Sequence, residues 1–431
     1  VRQSLASALV LLLCGSAGGC ADRPPAGADA PLTIPPGPDA VLLRLAQEGG
    51  VLSAVGYPEL TRTLWRSTGR VPSLRAVVAF GAEDGYLAGV TRTGAPVRID
   101  LRLGAVSAEL GDTVSAVASI DGAAAFVRTT GGELLRLTPS GGTWRLRPPF
   151  PADALLPQAD NGLIVAGARE GRVVLWRVRP PGVEVTDSLV VEVDASAGAL
   201  RQQLAATATT VGDRVLLGAG ELVVGVRSRD LQRVLAVDVG GEVRALAVTP
   251  SGDRAFALLD DDRRLRIVDR FEEGITGSVR LPAPGRALRM DPLGRMLLVR
   301  GPADTVFVVD VGSEALRGVV RSPWREDLPQ LFPDGTVATV AGTDVALRHP
   351  GSLAVVRTIP GGAGAFWHVL RWNGFRPRAK GLDQPVQFRL PRGTDSLGGE
   401  EDSAGTPAPR DSGGAVPPDT LRRDPAVEGR R

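Results

Sequence analysis

The stretch that decides the fold is VRALAVTPSGDRAFALL, Val243–Leu259. An apolar run, VRALAV, ends in Thr249-Pro250-Ser251-Gly252, and a second apolar run, AFALL, follows. Pro250 presets φ for the second position of a type I turn, and Gly252 suits the residue that re-enters the strand. Two short apolar runs joined by a tight turn read as a hairpin. The phrase returns as GRALRMDPLGRMLLV in Gly285–Val299 and as DLPQLFPDGTVATVA in Asp327–Ala341. Asp291-Pro292-Leu293-Gly294 and Phe332-Pro333-Asp334-Gly335 fill the turn in these copies, so Gly252, Gly294 and Gly335 stand 42 and 41 residues apart. All three are expected at positive φ.

Weaker copies precede these, each keeping only its glycine: Gly85, Gly122, Gly162 and Gly212. The whole series steps by 37, 40, 50, 40, 42 and 41 residues. After the second strand of the Gly252 copy comes a charged hairpin, Asp260–Arg264, then a third strand, Leu265–Asp269, and a fourth, Ser278–Leu281. Four short strands in a repeat of this length make one blade of an all-β β-propeller. Seven turn glycines predict seven four-stranded blades. Flanking strands remain at both ends: Val51–Val55 and Leu60–Arg66 before the series, Phe366–Trp372 and Val386–Leu390 after it, with an Asn373-Gly374 hairpin signal between the last two. They form an eighth blade built from both chain ends, or else complete and cap a seven-bladed disc.

The chain has 431 residues, with 54 Gly and 34 Pro, which suits a turn-dense fold. Aromatic residues make up only 4%, so the core must rest on Val, Leu, Ala and Ile. A net charge of +2 gives no whole-chain case for nucleic-acid binding. Residues 1–20 read as an export signal, with Arg2, an apolar core Leu5–Leu13 and a small-residue end, Ser16-Ala17-Gly18-Gly19-Cys20. That core is too short to span a membrane as a helix. Residues 21–38 are a Pro/Gly/Ala-rich tether, 39–392 the propeller, and 393–431 a Gly/Pro/Ser/Asp/Arg-rich tail expected to be disordered. The only cysteines are Cys14 and Cys20, which leaves the propeller no disulfide framework and no thiolate site.

Catalytic signatures are sparse. His349 and His368 cannot form HExxH, and no Gly-x-Ser-x-Gly elbow exists. Asp260-Asp261-Asp262 is followed by Arg263 and Arg264, which reads as a self-neutralising loop. No catalytic residue, metal or cofactor is expected. One cluster stands out, FWHVLRWNGFRPRAK in Phe366–Lys380. Aromatic and arginine side chains are enriched at binding hot spots. Trp367, Arg371, Trp372, Phe375, Arg376 and Arg378 are therefore candidate partner-binding residues. The competing reading is that the aromatics pack a closing blade.

The repeats, over about Ser73–Ile359, resemble WD40-like and YVTN-like propellers. Ser16–Cys20 resembles a bacterial lipobox. That resemblance implies lipidation of Cys20 and, with Ala21 rather than an acidic residue next, the outer membrane; an ordinary secretory signal implies the periplasm. Lipobox plus propeller resembles the scaffolding lipoprotein of the outer-membrane β-barrel assembly machinery. That family implies a non-enzymatic protein–protein scaffold of the cell envelope, with envelope proteins of unidentified kind as partners. Two alternatives stand beside it. One is a cell-wall- or division-associated envelope protein that reaches peptidoglycan or an anionic polymer. The other is a propeller enzyme of lactonase-like or quinone-cofactor type.

Overall fold

The computed structural model describes residues 41–371 apart from 47–49, 57–59, 61–62, 67–70, 72–73, 81–85, 92–95, 101–104, 108–112, 120–122, 139–140, 180–183, 193–203, 261 and 333. Within these, eight four-stranded antiparallel sheets are present. Strands β1–β3 are Val41–Ala46, Leu52–Gly56 and Thr63–Arg66. The first blade is β4–β7 (Leu74–Phe80, Tyr86–Thr91, Pro96–Asp100, Ala105–Ser107) and the second β8–β11 (Thr113–Ala118, Ala125–Thr129, Leu134–Thr138, Gly141–Leu146). The third is β12–β15 (Ala154–Pro157, Leu163–Arg169, Arg172–Arg179, Glu184–Glu192) and the fourth β16–β19 (Ala206–Ala208, Arg214–Ala219, Leu222–Arg227, Arg233–Asp238). The fifth is β20–β23 (Val243–Val248, Arg254–Leu259, Arg264–Asp269, Gly274–Arg280) and the sixth β24–β27 (Ala287–Met290, Met296–Arg300, Thr305–Asp310, Ala315–Arg321). The seventh is β28–β31 (Gln330–Leu331, Val337–Ala341, Asp344–Arg348, Val355–Ile359), and β32 is Ala365–Arg371.

The eighth sheet has the order β3-β2-β1-β32. Its pairing runs from Leu42 opposite Val369 to Ala46 opposite Ala365. The strand β32 lies beside β4, as β4 lies beside β8 and β20 beside β24. The first strand of each blade is thus innermost, and the chain's last described strand is the innermost strand of a blade whose outer three strands come from the other end. The described residues form an eight-bladed β-propeller. The alternative of an eighth blade built from both chain ends therefore holds, and the count of seven is corrected. The turn glycine sits between the first and second strands of a blade, and in the closing blade those strands lie at opposite ends of the chain. No turn joins them, so eight blades carry seven such turns. Strand β1 also lacked a place in the sequence reading, because it follows directly on the Pro-rich segment.

Packing runs from blade to blade. Leu156, Ile164 and Leu175 of the third blade meet Val215, Leu217 and Val224 of the fourth. Phe256, Leu258 and Ile267 of the fifth meet Leu297, Val299 and Phe307 of the sixth. The middle strands are covered on both faces, which explains their unbroken apolar runs. Outer strands alternate instead: β19 buries Leu235 and Val237 and exposes Arg233, Ala236 and Asp238.

The turns hold as read. Gly252 N–H donates to Thr249 O at 2.8 Å and Gly294 N–H to Asp291 O at 2.7 Å. Gly335 N–H donates to Phe332 O at 2.8 Å. Gly252, Gly294 and Gly335 have φ of 73°, 69° and 88°. Gly212 shares this geometry at 68°, whereas in the third blade Asn161 takes the left-handed position, at 61°, and Gly162 does not. Gly85 and Gly122 lie outside the described residues.

The fourth strand of the fifth blade begins at Gly274, four residues before the expected Ser278. A bulge after Ile267 and a tight turn at 270–273 move it forward, and its exposed Ile275, Thr276 and Ser278 give little apolar signal. These third-to-fourth-strand turns share a feature the sequence hid. Leu231, Glu273, Glu314 and Leu353, one per blade in four successive blades, have φ between 49° and 58°. A residue with a Cβ is strained there by about 1–2 kcal/mol. Glu273→Gly should therefore raise stability by about 0.5–1 kcal/mol in urea unfolding. Glu314→Gly should not, because the Glu314 carboxylate accepts from Arg254 of the preceding blade at 3.0 Å. A gain at Glu314 as large as that at Glu273 would contradict this account.

Candidate functional site

A cavity of about 290 Å³ opens at the centre between the innermost strands of the fourth, fifth and sixth blades. Thr207, Leu246, Val248, Leu288 and Met290 line it from the strands, and Thr210, Pro250 and Pro292 from the turns. Its one charged lining residue, Asp291, is fully buried and accepts from Arg295 Nε at 2.7 Å. Arg295 continues to Phe332 O of the seventh blade at 3.4 Å. This carboxylate serves as a strut between blades.

Charges near the ring's closure are committed in the same way. Arg289, on β24, donates to Arg325 O at 2.9 Å, to Glu326 O at 3.0 Å and to Pro329 O. Its guanidinium also lies 4.9 Å from the centroid of the Trp324 ring. Burial pushes Arg289 below its ordinary pKa, against the pull of Asp327 and Glu326. Arg325 donates to Ala363 O and Ala365 O, both at 2.7 Å, and forks onto Asp327. Asp327 in turn accepts the backbone N–H of Trp367 at 3.0 Å. Arg289, Arg325 and Asp327 thus tie the sixth and seventh blades to β32, the strand that closes the ring. Sequence reading missed this lock; its only trace was the charged triplet Arg325-Glu326-Asp327 ahead of an apolar strand.

Trp367, a candidate partner-binding residue, sits inside this lock rather than on a surface. It is 3% exposed, packs with Phe332, Val345 and Leu347, and donates its indole Nε1–H to Gly362 O at 2.9 Å. Phe366 is buried beside it in sequence. The packing alternative therefore holds at Trp367: its exposed-site assignment is corrected by its place on the innermost strand of the closing blade. Arg371 ends β32. Trp372, Phe375, Arg376 and Arg378 lie outside the described residues, as do Cys14, Cys20 and residues 393–431.

Other features read from the sequence have structural partners. Asp260 pairs with Arg244, and Asp262 stands 3.9 Å from Arg266. His349 Nδ1 accepts the N–H groups of Gly351 at 3.1 Å and Ser352 at 3.2 Å, shaping a turn. Among the described residues no three His, Cys, Asp or Glu side chains gather as metal ligands, and no helix is long and apolar enough to cross a membrane.

An aromatic residue was overlooked. Phe271, in the turn between β22 and β23, is 73% exposed. Phe126, Phe150, Phe256, Phe307, Phe332 and Phe366 are all exposed by 6% or less. The sequence carried a signal, since Phe271 stands in DRFEEG among four charged residues.

Comparison with known proteins bears on the fold. No protein-family model matches the chain, and no curated protein matches it in sequence. Among solved structures, the dihydro-heme d1 dehydrogenase NirN in complex with DHE is similar over 78% of this chain and 76% of its own, with TM-score 0.57 and 13% identity. The likeness is one of fold. KlHsv2 with loop 6CD replaced by a Gly-Ser linker aligns at TM-score 0.44 and 11% identity, over 65% of this propeller chain and 90% of its own.

Proposed function

We propose that this propeller is a non-enzymatic, lipid-anchored scaffold of the bacterial cell envelope that binds other envelope proteins. The observation that carries the reading is the use of charge around the described channel. Asp291, Arg295, Arg289, Arg325 and Asp327 are all engaged in holding blades together. A general acid or base needs a group free to exchange a proton with substrate, and these are committed elsewhere. The export signal ending in Cys20 supports an anchor, with the Pro-rich segment as tether, at the outer membrane or in the periplasm. The aromatic–arginine segment beyond β32, with Trp372 and Arg376, remains a proposed contact surface.

A second reading, a propeller enzyme, draws on the central cavity, which is large enough for a small organic ligand. NirN, a dehydrogenase bound to DHE, has the same fold. Fold alone does not transfer chemistry.

Three measurements test the proposal. Cys20→Ala should shift the protein from the membrane fraction to the soluble one and remove the acyl mass, since each buried CH₂ contributes about 0.8 kcal/mol to anchoring. Unchanged fractionation and mass would remove the anchor. Crosslinking of the mature wild-type protein in membranes should yield a defined envelope partner. Turnover of lactones by purified protein at enzyme-like rates would replace the scaffold reading with the second.

A further inference from the structure

We propose that the outer turn of the fifth blade, Arg270 and Phe271, together with Arg214 of the fourth blade, docks an acidic peptide segment of a partner protein through a carboxylate and an adjacent apolar side chain. The inference rests on the scaffold reading and names where and by what chemistry the partner is held.

Three observations converge. Phe271 is the one strongly exposed phenylalanine among those whose burial is described, and the Arg270 guanidinium lies 5.3 Å from its ring centroid. Arg214, Arg270 and the acidic Asp253 line one slot between the blades, floored by Leu216, Leu235, Ala255 and Val268. The slot has a volume of about 20 Å³. That is room for roughly one water-sized group, so it excludes a ring or sugar. Finally, neither guanidinium donates a hydrogen bond to a carboxylate among the described residues.

The surrounding charges leave Arg214 only a distant ion pair, with Asp213, and Arg270 no carboxylate pair among the described residues. Arg227 forks onto Asp230, whose carboxyl is held at about 2 by that contact. Arg254 is taken by Glu314. Asp213 approaches Arg214 Nε only to 3.9 Å and accepts the Thr209 hydroxyl at 2.5 Å. Asp253 accepts from Thr249 and Ser251 and stands 3.7 Å from Arg254. Burial, then the charges of Arg270 and Arg227, push Arg214 below its ordinary pKa despite Asp213. An incoming carboxylate relieves that repulsion, and Phe271 offers the apolar contact that gives such a pairing lasting affinity.

The test uses the full-length chain and a fluorescein-labelled peptide of alternating Glu and Leu, read by fluorescence polarisation. Wild type should bind it, with affinity falling as salt screens the charges. Phe271→Ala and Arg270→Glu should each weaken binding by about thirtyfold with unchanged melting temperature, the loss typical of a hot-spot residue. A peptide with Lys in place of Glu should not bind. The proposal is overturned by absence of wild-type binding, by equal affinity of both variants, or by equal binding of the Lys peptide. Saturable binding to phosphatidylglycerol vesicles that displaces the peptide would also overturn it, in favour of a lipid surface. In crosslinking from membranes, equal capture of one partner by wild type and Phe271→Ala rejects this site and leaves the scaffold reading intact. No capture by wild type rejects the scaffold reading itself.

Discussion

Replacing Asp327 by alanine is expected to destabilise the propeller by about 3–5 kcal/mol, because it takes the counter-charge from a half-buried guanidinium and the acceptor from a buried backbone N–H at the point where the ring closes. The Asp327 side chain is 2% exposed. One oxygen bonds Arg325 Nε at 2.8 Å, and the other bonds the Trp367 N–H at 3.0 Å and receives the second arm of the Arg325 fork. Alanine would leave Arg325 fixed by Ala363 O and Ala365 O but without a counter-charge, and would leave a backbone donor of β32 without its acceptor. Glu192→Ala provides the comparison. It also removes one carboxylate from an arginine, Arg172 at 3.0 Å, but both side chains are more than half exposed. An exposed pair contributes about 0–1 kcal/mol. Urea unfolding should therefore separate the two variants by several kcal/mol. The Arg325→Ala, Asp327→Ala double variant should lose less than the two single losses combined, since it leaves neither charge without its partner. A loss at Asp327 no larger than that at Glu192 would show that the lock does not hold the ring shut.

That closure was the least legible part of the fold, for a physical reason. A blade announces itself in sequence through the turn between its first two strands, where proline and glycine are demanded by backbone geometry. The closing blade has its first strand at residues 365–371 and its second at 41–46, so nothing local marks their pairing. Elsewhere the sequence was informative because the requirement was local. The left-handed glycines, the apolar inner strands and the charged hairpin at 260–264 each follow from a few neighbouring residues. The left-handed Leu231, Glu273, Glu314 and Leu353 were not legible, because their side chains give no hint of positive φ. The same divide governs the site. Aromatic and arginine residues between 366 and 380 are conspicuous in sequence, yet Trp367 is consumed by packing that only the closed ring creates. Phe271 is a single aromatic residue in a turn, and only the burial of the other described phenylalanines makes its exposure informative.

Gly294→Val should cost about 2–6 kcal/mol, from two sources that a second glycine can separate. The first is backbone strain: φ is 69° at Gly294, and a β-branched residue held there costs about 1–3 kcal/mol. The second is contact. A Cβ on Gly294 would stand 2.6 Å from Pro250 Cδ in the turn of the preceding blade. Gly252 meets Thr209 Cγ2 of the fourth blade in the same way, at 2.8 Å. From the fourth blade to the sixth the turns thus nest one against the next, and Gly212, Gly252 and Gly294 each yield space to the blade before. Proline Cδ belongs to a rigid ring and cannot swing aside, so overpacking adds about 1–3 kcal/mol. Gly132 has φ of 80° with no atom within 4 Å of its missing Cβ. Gly132→Val should therefore show the strain without the clash, and melt between wild type and Gly294→Val. Leu293→Ser, at the 37% exposed tip of the same turn, should scarcely shift the transition. If Gly132→Val and Gly294→Val melt together, the nested turns are loose enough to absorb a side chain, and φ alone explains the glycine repeat.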